Sequence, residues 1–138
     1  MRLVVVTPET RVVDQDVVHV RAEDESGAFG ILDRHADLLT ALTISVLVYR
    51  DRGGREHFVA VRGGLLTVSD GAVVQVLARE AVASDDLGSL EGAVLTRFRR
   101  SAADEQLARA GVSNLEGALL RRVADYMRVE RQRVERLQ

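Results

Sequence analysis

The chain contains no cysteine, no lysine, no tryptophan and a single proline, Pro8. Without cysteine there is no disulfide framework, no thiolate nucleophile and no thiolate metal site. Without lysine all 19 basic residues are arginine. That excludes a Walker-type phosphate loop, a Schiff-base enzyme and pyridoxal chemistry, each of which needs an ammonium group. Long apolar runs are missing too: the longest stretch free of charge, Leu38 to Tyr49, has 12 residues. A bilayer-spanning helix needs roughly 20, so the chain is not expected to cross a membrane by itself. Met1-Arg2-Leu3-Val4 enters a strand-like run at once and lacks a signal-peptide layout, so the protein is expected to act where it is made.

What is present fits one compact domain, or a domain with a modest appendage, in 138 residues. Hydrophobic residues make up 46% and charged residues 29%, which is neither disordered nor membrane-spanning in composition. A net charge of −2 and a pI near 5.9 argue against a primary role on nucleic acid. The charge is uneven. Residues 1–83 carry 9 arginines against 12 acids, and residues 113–138 carry 6 against 4, so only the last segment is basic.

Two periodicities divide the chain. Up to about Val82 it reads as short strands with turn punctuation. Leu3 to Val6 is a β-branched run closed by Thr7-Pro8. Val12-Val13 and then Val17 to Ala22 follow, the latter with Val18, Val20 and Ala22 on one side and His19, Arg21 and Glu23 on the other. Gly27 to Leu32 is short and glycine-rich. Ile44 to Arg50 and His57 to Arg62 flank the hairpin signal Asp51-Arg52-Gly53-Gly54-Arg55, and Leu65 to Val68 and Val73 to Ala78 flank Ser69-Asp70-Gly71. Many short strands at regular spacing predict a β-sandwich or flattened barrel. After Ala83 the period lengthens. Ser84-Asp85-Asp86 reads as a helix start, with a capping hydroxyl and two acids, and Leu87, Leu90, Val94, Phe98 and Ala102 form one apolar stripe. Gly111 is expected as a left-handed C-cap, and Ser113-Asn114-Leu115-Glu116 matches a capping box that opens a second helix. Leu115, Leu119, Val123, Met127, Val134 and Leu137 continue a stripe broken by Glu130. The expected architecture is a β-sandwich over residues 1–83 followed by an antiparallel two-helix hairpin over 84–138.

Few residues invite chemistry. His19, His35 and His57 show no ligand spacing, and the structural reading is favoured for His19 and His57. Glu23-Asp24-Glu25 lacks the alternating ligands of a calcium loop and reads as a solvated turn. The glycine pairs at 53–54 and 63–64 lack a phosphate-binding frame and read as turn glycines. Arg97, Arg99 and Arg100, with Arg121, Arg122, Arg128, Arg131, Arg133 and Arg136, could grip an acidic partner. The plainer reading is a solvated face with intrahelical pairs, such as Asp125 beside Arg121 and Glu135 beside Arg131. No catalytic, cofactor or metal residues are expected.

Three segments carry a resemblance. Gly27-Ala28-Phe29-Gly30-Ile31-Leu32-Asp33-Arg34-His35-Ala36-Asp37-Leu38-Leu39-Thr40 resembles the signature loop of the epsilon family of rotary F-type ATP synthases. Val61-Arg62-Gly63-Gly64-Leu65-Leu66-Thr67-Val68 resembles that family's Gly-Gly hairpin, and Val76-Leu77-Ala78-Arg79-Glu80-Ala81-Val82 its last strand. Each alone is weak; their order and spacing over roughly residues 1–82 make the set specific. The resemblance implies a ten-stranded sandwich plus a two-helix hairpin. It also implies a non-catalytic central-stalk subunit, peripheral on the cytoplasmic face of the inner (plasma) membrane, that binds the gamma subunit and the c-ring. The alpha/beta catalytic head would be met when the hairpin extends. Ala28, Asp33, Arg34, His35, Asp37 and Leu38 become candidates for the ring interface, and Arg121, Arg122, Arg128, Arg131, Arg133 and Arg136 for regulatory contacts. Asp33-Arg34 and Asp37 depart from the usual prolines and glycine, and the run Val20 to Gly30 with Ala36-Asp37 resembles the N-type branch associated with sodium pumping. The competing reading is a β-sandwich adaptor whose helical hairpin docks a partner protein.

Some bacterial members bind ATP through Ile/Leu-Asp-x-x-Arg-Ala at the first helix; here the segment is Leu87-Gly88-Ser89-Leu90-Glu91-Gly92. A glutamate repels phosphate where a guanidinium would attract it. The isolated protein is therefore expected to show no saturable heat of ATP binding in calorimetry at millimolar nucleotide. A single saturable site would contradict this.

Overall fold

A computed structural model describes residues 1–111 together with 121, 122 and 128. Among the described residues it has nine strands: β1 (Arg2–Val6), β2 (Arg11–Asp24), β3 (Gly27–Ile31), β4 (Leu38–Ala41), β5 (Ser45–Asp51), β6 (Glu56–Arg62), β7 (Leu65–Ser69), β8 (Val73–Leu77) and β9 (Glu80–Ser84). They run in the hydrogen-bonded order β4-β7-β8-β1-β2-β5-β6-β9, with β3 also paired to β2. All pairs are antiparallel except β1 with β8.

The resemblance implied ten strands; among the described residues there are nine, and Val12-Val13 and Val17 to Ala22, read as separate runs, belong to one of them. Asp14, Gln15 and Asp16 stay extended by pairing with Val4, Leu3 and Arg2 of β1. The second half of β2 leaves β1 and pairs with β3 and β5. At the crossover, Val17 and His19 face consecutive residues Asp51 and Arg50, so Val18 is an extra, bulged residue. The bulge changes the parity of the strand. Val13 and Val17 point inward before it, Val20 and Ala22 after it, and Val18 is 42% exposed, not on the Val20 side as the alternation predicted.

β2 thus belongs to both layers. Leu3, Val5, Leu66, Val68, Val74 and Val76 of one layer meet Val20, Leu47, Tyr49, Val59 and Val61 of the other in a single core. The turns follow the expected chemistry. Asp70 and Gly71 both have positive φ, 56° and 60°, in the tight turn between β7 and β8. Gly54 takes φ of 82° in the β5–β6 hairpin turn and Gly63 φ of 64° in the connection between β6 and β7, which pair with other strands.

A helix begins at Leu87, but its cap is Asp86, whose carboxylate accepts from the Ser89 N–H. Ser84, expected as the cap, ends β9, and its hydroxyl accepts from the Asp86 N–H instead. Leu90–Val94 forms a π-turn in which the Leu95 N–H donates to the Leu90 carbonyl. The wider turn rotates the stripe by one residue. Leu90, Leu95 and Phe98 are buried, whereas Val94 is only half-buried; a strict 3.6-residue period had left Leu95 out. These three pack with Ala60 against Ile44, Val46, Phe58 and Val82, on the outer face of the β5-β6-β9 layer.

By contacts the chain divides into two units, Met1–Arg100 and Ser101–Gln138. Within the second, residues 101–111 are helical and Leu107 is 71% exposed. Gly111 is itself helical and lacks the positive φ of the expected C-cap. A glycine in helical conformation costs only about 1 kcal/mol relative to alanine, which the turns before it tolerate. The capping box at 113–116 and the second stripe lie outside the described residues.

Phe98 is fully buried between helix and sheet. Phe98→Ala is expected to lower unfolding stability by about 3–5 kcal/mol through lost transfer energy and the cavity left behind. Urea titration followed by far-ultraviolet circular dichroism measures it.

Candidate functional site

The signature segment is built between two anchored ends. Ile31 at the end of β3 is fully buried and Leu38 at the start of β4 is half-buried. Between them Leu32, Asp33, Arg34, Ala36 and Asp37 are exposed and His35 is half-buried. The His35 N–H donates to the Leu32 carbonyl at 3.2 Å, and Nδ1 of the His35 ring lies 2.7 Å from the Ala36 carbonyl, which accepts from it. His35 therefore shapes its own loop.

The loop is braced by the β7–β8 turn, 33 residues on from Asp37. The Arg34 N–H donates to the Gly71 carbonyl at 2.9 Å, and the Asp70 N–H donates to Oδ1 of Asp37 at 3.0 Å. The approach is so close that a Cβ on Gly71 would sit 2.6 Å from Arg34 Cα. Arg34 itself has φ of 65°, an unusual value for a residue with a side chain. The result is a braced polar protrusion. It offers the Asp33 carboxylate and the Arg34 guanidinium to solvent beside Leu32, which is 61% exposed.

A second bracket holds the far side of β4. Asp24 accepts from the Thr40 hydroxyl at 2.8 Å and from both the N–H and the hydroxyl of Ser26. The Ser26 hydroxyl, followed by that of Thr40, keeps the Asp24 carboxyl below the ordinary aspartate value. Asp24 is thus a structural bracket at the end of β2, not part of a free solvated turn.

Ala28 does not join the loop. It is exposed on β3, opposite Glu23, in a depression of about 290 Å³ also lined by Arg21, Val46, Val48, Leu87 and Glu91. Arg121, Arg122 and Arg128 are helical and exposed, and Arg128 has an interaction partner. Arg131, Arg133 and Arg136 lie outside the described residues.

The sheet also presents an apolar row that periodicity did not single out. Ala41, Leu65, Leu77 and Val6 are paired in turn across β4, β7, β8 and β1, so their side chains share one outer face. Leu65 and Leu77 are 40% and 47% exposed, and Leu39 and Val73 add 66% and 40% on the same strands. The row was missed because it needs the strand register, as did the Asp70-Gly71 brace. Among the described residues, no helix is long and apolar enough to cross a membrane, and no three His, Asp or Glu residues gather as a metal-binding group.

Fold and loop together define a class: a two-layer β-sandwich that carries a helix on one outer face and a braced polar loop at the β3–β4 connection. Residues 1–84 match the family described as ATP synthase, Delta/Epsilon chain, beta-sandwich domain. The ATP synthase epsilon chain 2 of Paraburkholderia xenovorans (strain LB400) is 38% identical over 132 residues, 95% of this chain and 95% of that one. Two cryo-EM structures share the fold. A chain of the Euglena gracilis mitochondrial ATP synthase (OSCP/F1/c-ring) gives a TM-score of 0.56 at 24% identity, covering 59% of this chain and 51% of that chain. One from the Tetrahymena thermophila enzyme (central stalk/c-ring) gives 0.52 at 15% identity, covering 59% and 65%. This chain belongs to the ATP synthase delta/epsilon family, on the side of the epsilon chains.

Gly71→Ala is expected to disrupt the brace. The left-handed backbone alone costs about 1–2 kcal/mol for a residue with a Cβ, and the contact with Arg34 adds to it. Urea unfolding should show the loss. Amide resonances of residues 33–37 should shift while those of β5 and β6 stay in place.

Proposed function

We propose that this chain is a non-catalytic central-stalk subunit of a rotary ATP synthase, which transmits rotation by binding and has no substrate of its own. The braced loop carries the reading. A torque-bearing contact needs a protrusion whose backbone does not yield, and residues 32–37 are tied at Arg34 and Asp37 to a turn distant in sequence. In this reading Asp33, Arg34, His35, Asp37 and Leu38 meet the polar loops of the c-ring, and Ala28 marks the flank of the same strand. The gamma subunit covers the apolar row Ala41-Leu65-Leu77-Val6, an exposed face suited to burial against a partner. The Tetrahymena structure, named for its central stalk and c-ring, supports the partners.

The finer assignments follow from the same reading. Residues 1–83 form the stalk- and ring-binding part, and residues 84–138 fold as a helical hairpin. The complex sits with this subunit on the cytoplasmic side of the membrane. The hairpin restrains hydrolysis when its arginines, Arg121, Arg122, Arg128, Arg131, Arg133 and Arg136, meet acidic surfaces of the catalytic head, where guanidinium forks pair well with carboxylates. The run Val20 to Gly30 with Ala36-Asp37 favours the N-type branch, and the transported ion, proton or sodium, is set by ligands in the ring.

The chain has no cysteine, so His35→Cys introduces a unique thiol for crosslinking in the assembled complex. A crosslink to the ring is expected. Arg34→Ala combined with Asp33→Ala should weaken coupling of ion flow to ATP synthesis with the sandwich still folded. Asp37 is left intact because it braces the loop. Full coupling in that variant, together with no crosslink to any ring subunit, would overturn the reading. Deleting residues 113–138 should accelerate hydrolysis in an assembled complex; an unchanged rate would remove the restraint.

A further inference from the structure

His57 is the second residue of β6 and makes two ion-pair contacts. Its Nε2 is 2.9 Å from Oδ2 of Asp51, and its Nδ1 is 2.9 Å from Oδ1 of Asp85. Asp51 ends β5, whereas Asp85 is one of the two residues between β9 and the helix. A histidine near the start of β6 thereby reaches the joint from which the helix departs. The Tyr49 ring stacks on the imidazole, with centroids 5.0 Å apart and planes 23° apart, and orients both nitrogens toward their partners.

The donor count makes this arrangement conditional. A neutral imidazole has one N–H and one lone pair; only the imidazolium has two donors. Both carboxylates are satisfied together only when His57 is charged. We infer that His57, held between Asp51 and Asp85, is a protonation-controlled clasp that fastens the sandwich-to-helix joint and loosens it when the imidazolium gives up its proton to solvent.

The two contacts are not equivalent. Asp51 is fixed in its turn, since its Oδ1 also accepts from the Arg55 N–H at 3.0 Å. The Asp85 side chain is 67% exposed. The neutral tautomer keeps Nε2–H on Asp51 and turns a lone pair on Asp85, which then moves into water. The helix stays seated by Leu90, Leu95 and Phe98, so the change is confined to the joint.

The other groups around the ring do not compete. From β5, Tyr49 is a phenol whose ionisation is pushed up, by burial first and then by Asp85 and Asp51, so it stays neutral. On the ring's own strand Glu56 pairs with Arg50. From β9 the neighbour is Ser84, and at the helix start Asp86 is occupied with the Ser89 N–H. The charges acting on His57 are those of Asp85 and Asp51.

Hydrogen bonding to Asp51, then to Asp85, holds the His57 pKa above its ordinary value, against a smaller opposing effect of burial. The clasp therefore contributes in full below pH 6.5, the ordinary histidine value, and is lost as pH rises through the higher folded value. Asp51 is lowered, first by His57 and then by the Arg55 N–H, so its contribution persists above 3.8 and is lost only as pH falls through the depressed value. The clasp is closed in mild acid and opens toward alkaline pH.

Hydrogen exchange on the isolated full-length chain tests this, independently of any assembly. After correction for intrinsic rates, protection of amides 84–90 should fall between about pH 5.5 and about pH 8.5. The fall should be about tenfold for each unit by which the imidazole pKa drops in Asp85→Asn, since the Asp51 contact survives opening of the joint. Imidazole resonances give the folded pKa of His57 separately. Asp85→Asn and His57→Gln should each flatten the pH dependence at the joint. An unchanged pH dependence in Asp85→Asn would overturn the clasp. So would a flat wild-type profile despite a raised His57 pKa.

Discussion

One extra residue in one strand sets the geometry on which everything else rests. β2 has to serve two layers: its first half hydrogen-bonds to β1 and its second half to β3 and β5. A strand that simply continued would keep one parity facing inward, and the strand's bend from one layer to the other would turn part of its apolar side to water. The bulge at Val18 lets Val13 and Val17 on one side, and Val20 and Ala22 on the other, enter the same core. Only then do β7, β8 and β1 face β5 and β6 across a shared interior.

Closing the sandwich leaves two outer faces with different fates. The β5-β6-β9 face is covered by Leu90, Leu95 and Phe98, and the π-turn at Leu90–Val94 brings Leu95 into that seam. The opposite face keeps its apolar row of Ala41, Leu65, Leu77 and Val6 open. Contiguous exposed apolar surface on a folded domain marks an interaction site more often than an accident of composition. One face is thus used internally and the other remains for a partner.

Both polar features rest on contacts distant in sequence. The 32–37 loop owes its shape to the Asp70-Gly71 turn, where the absence of a side chain allows Arg34 to approach. The helix joint is tied by His57, 28 residues before Asp85. In each case a turn or strand already fixed by the core supplies the anchor. Loop and joint are therefore positioned by the sandwich and not by their own neighbours in sequence.

Local regularities made much of this legible in the sequence. Alternating β-branched runs set the strands, Asp-Gly and Gly-Gly set the turns, and the change of period after Ala83 set the helix, because each depends on neighbours within a few residues. The ordered motifs from Gly27 to Val82 pointed to the family for the same reason. Tertiary structure decided the rest. Whether Val12-Val13 and Val17 to Ala22 are one strand or two depended on pairing with β1. Whether Val18 or Val17 faces the core depended on a bulge visible only in register. Ser84 lost the capping role to Asp86 because Ser84 pairs with Phe58 in the sheet. Asp24, Gly71 and His57 became brackets, braces and clasps only when closure of the sandwich brought Thr40, Arg34 and Asp85 beside them, and no local pattern encodes a contact between residues that far apart.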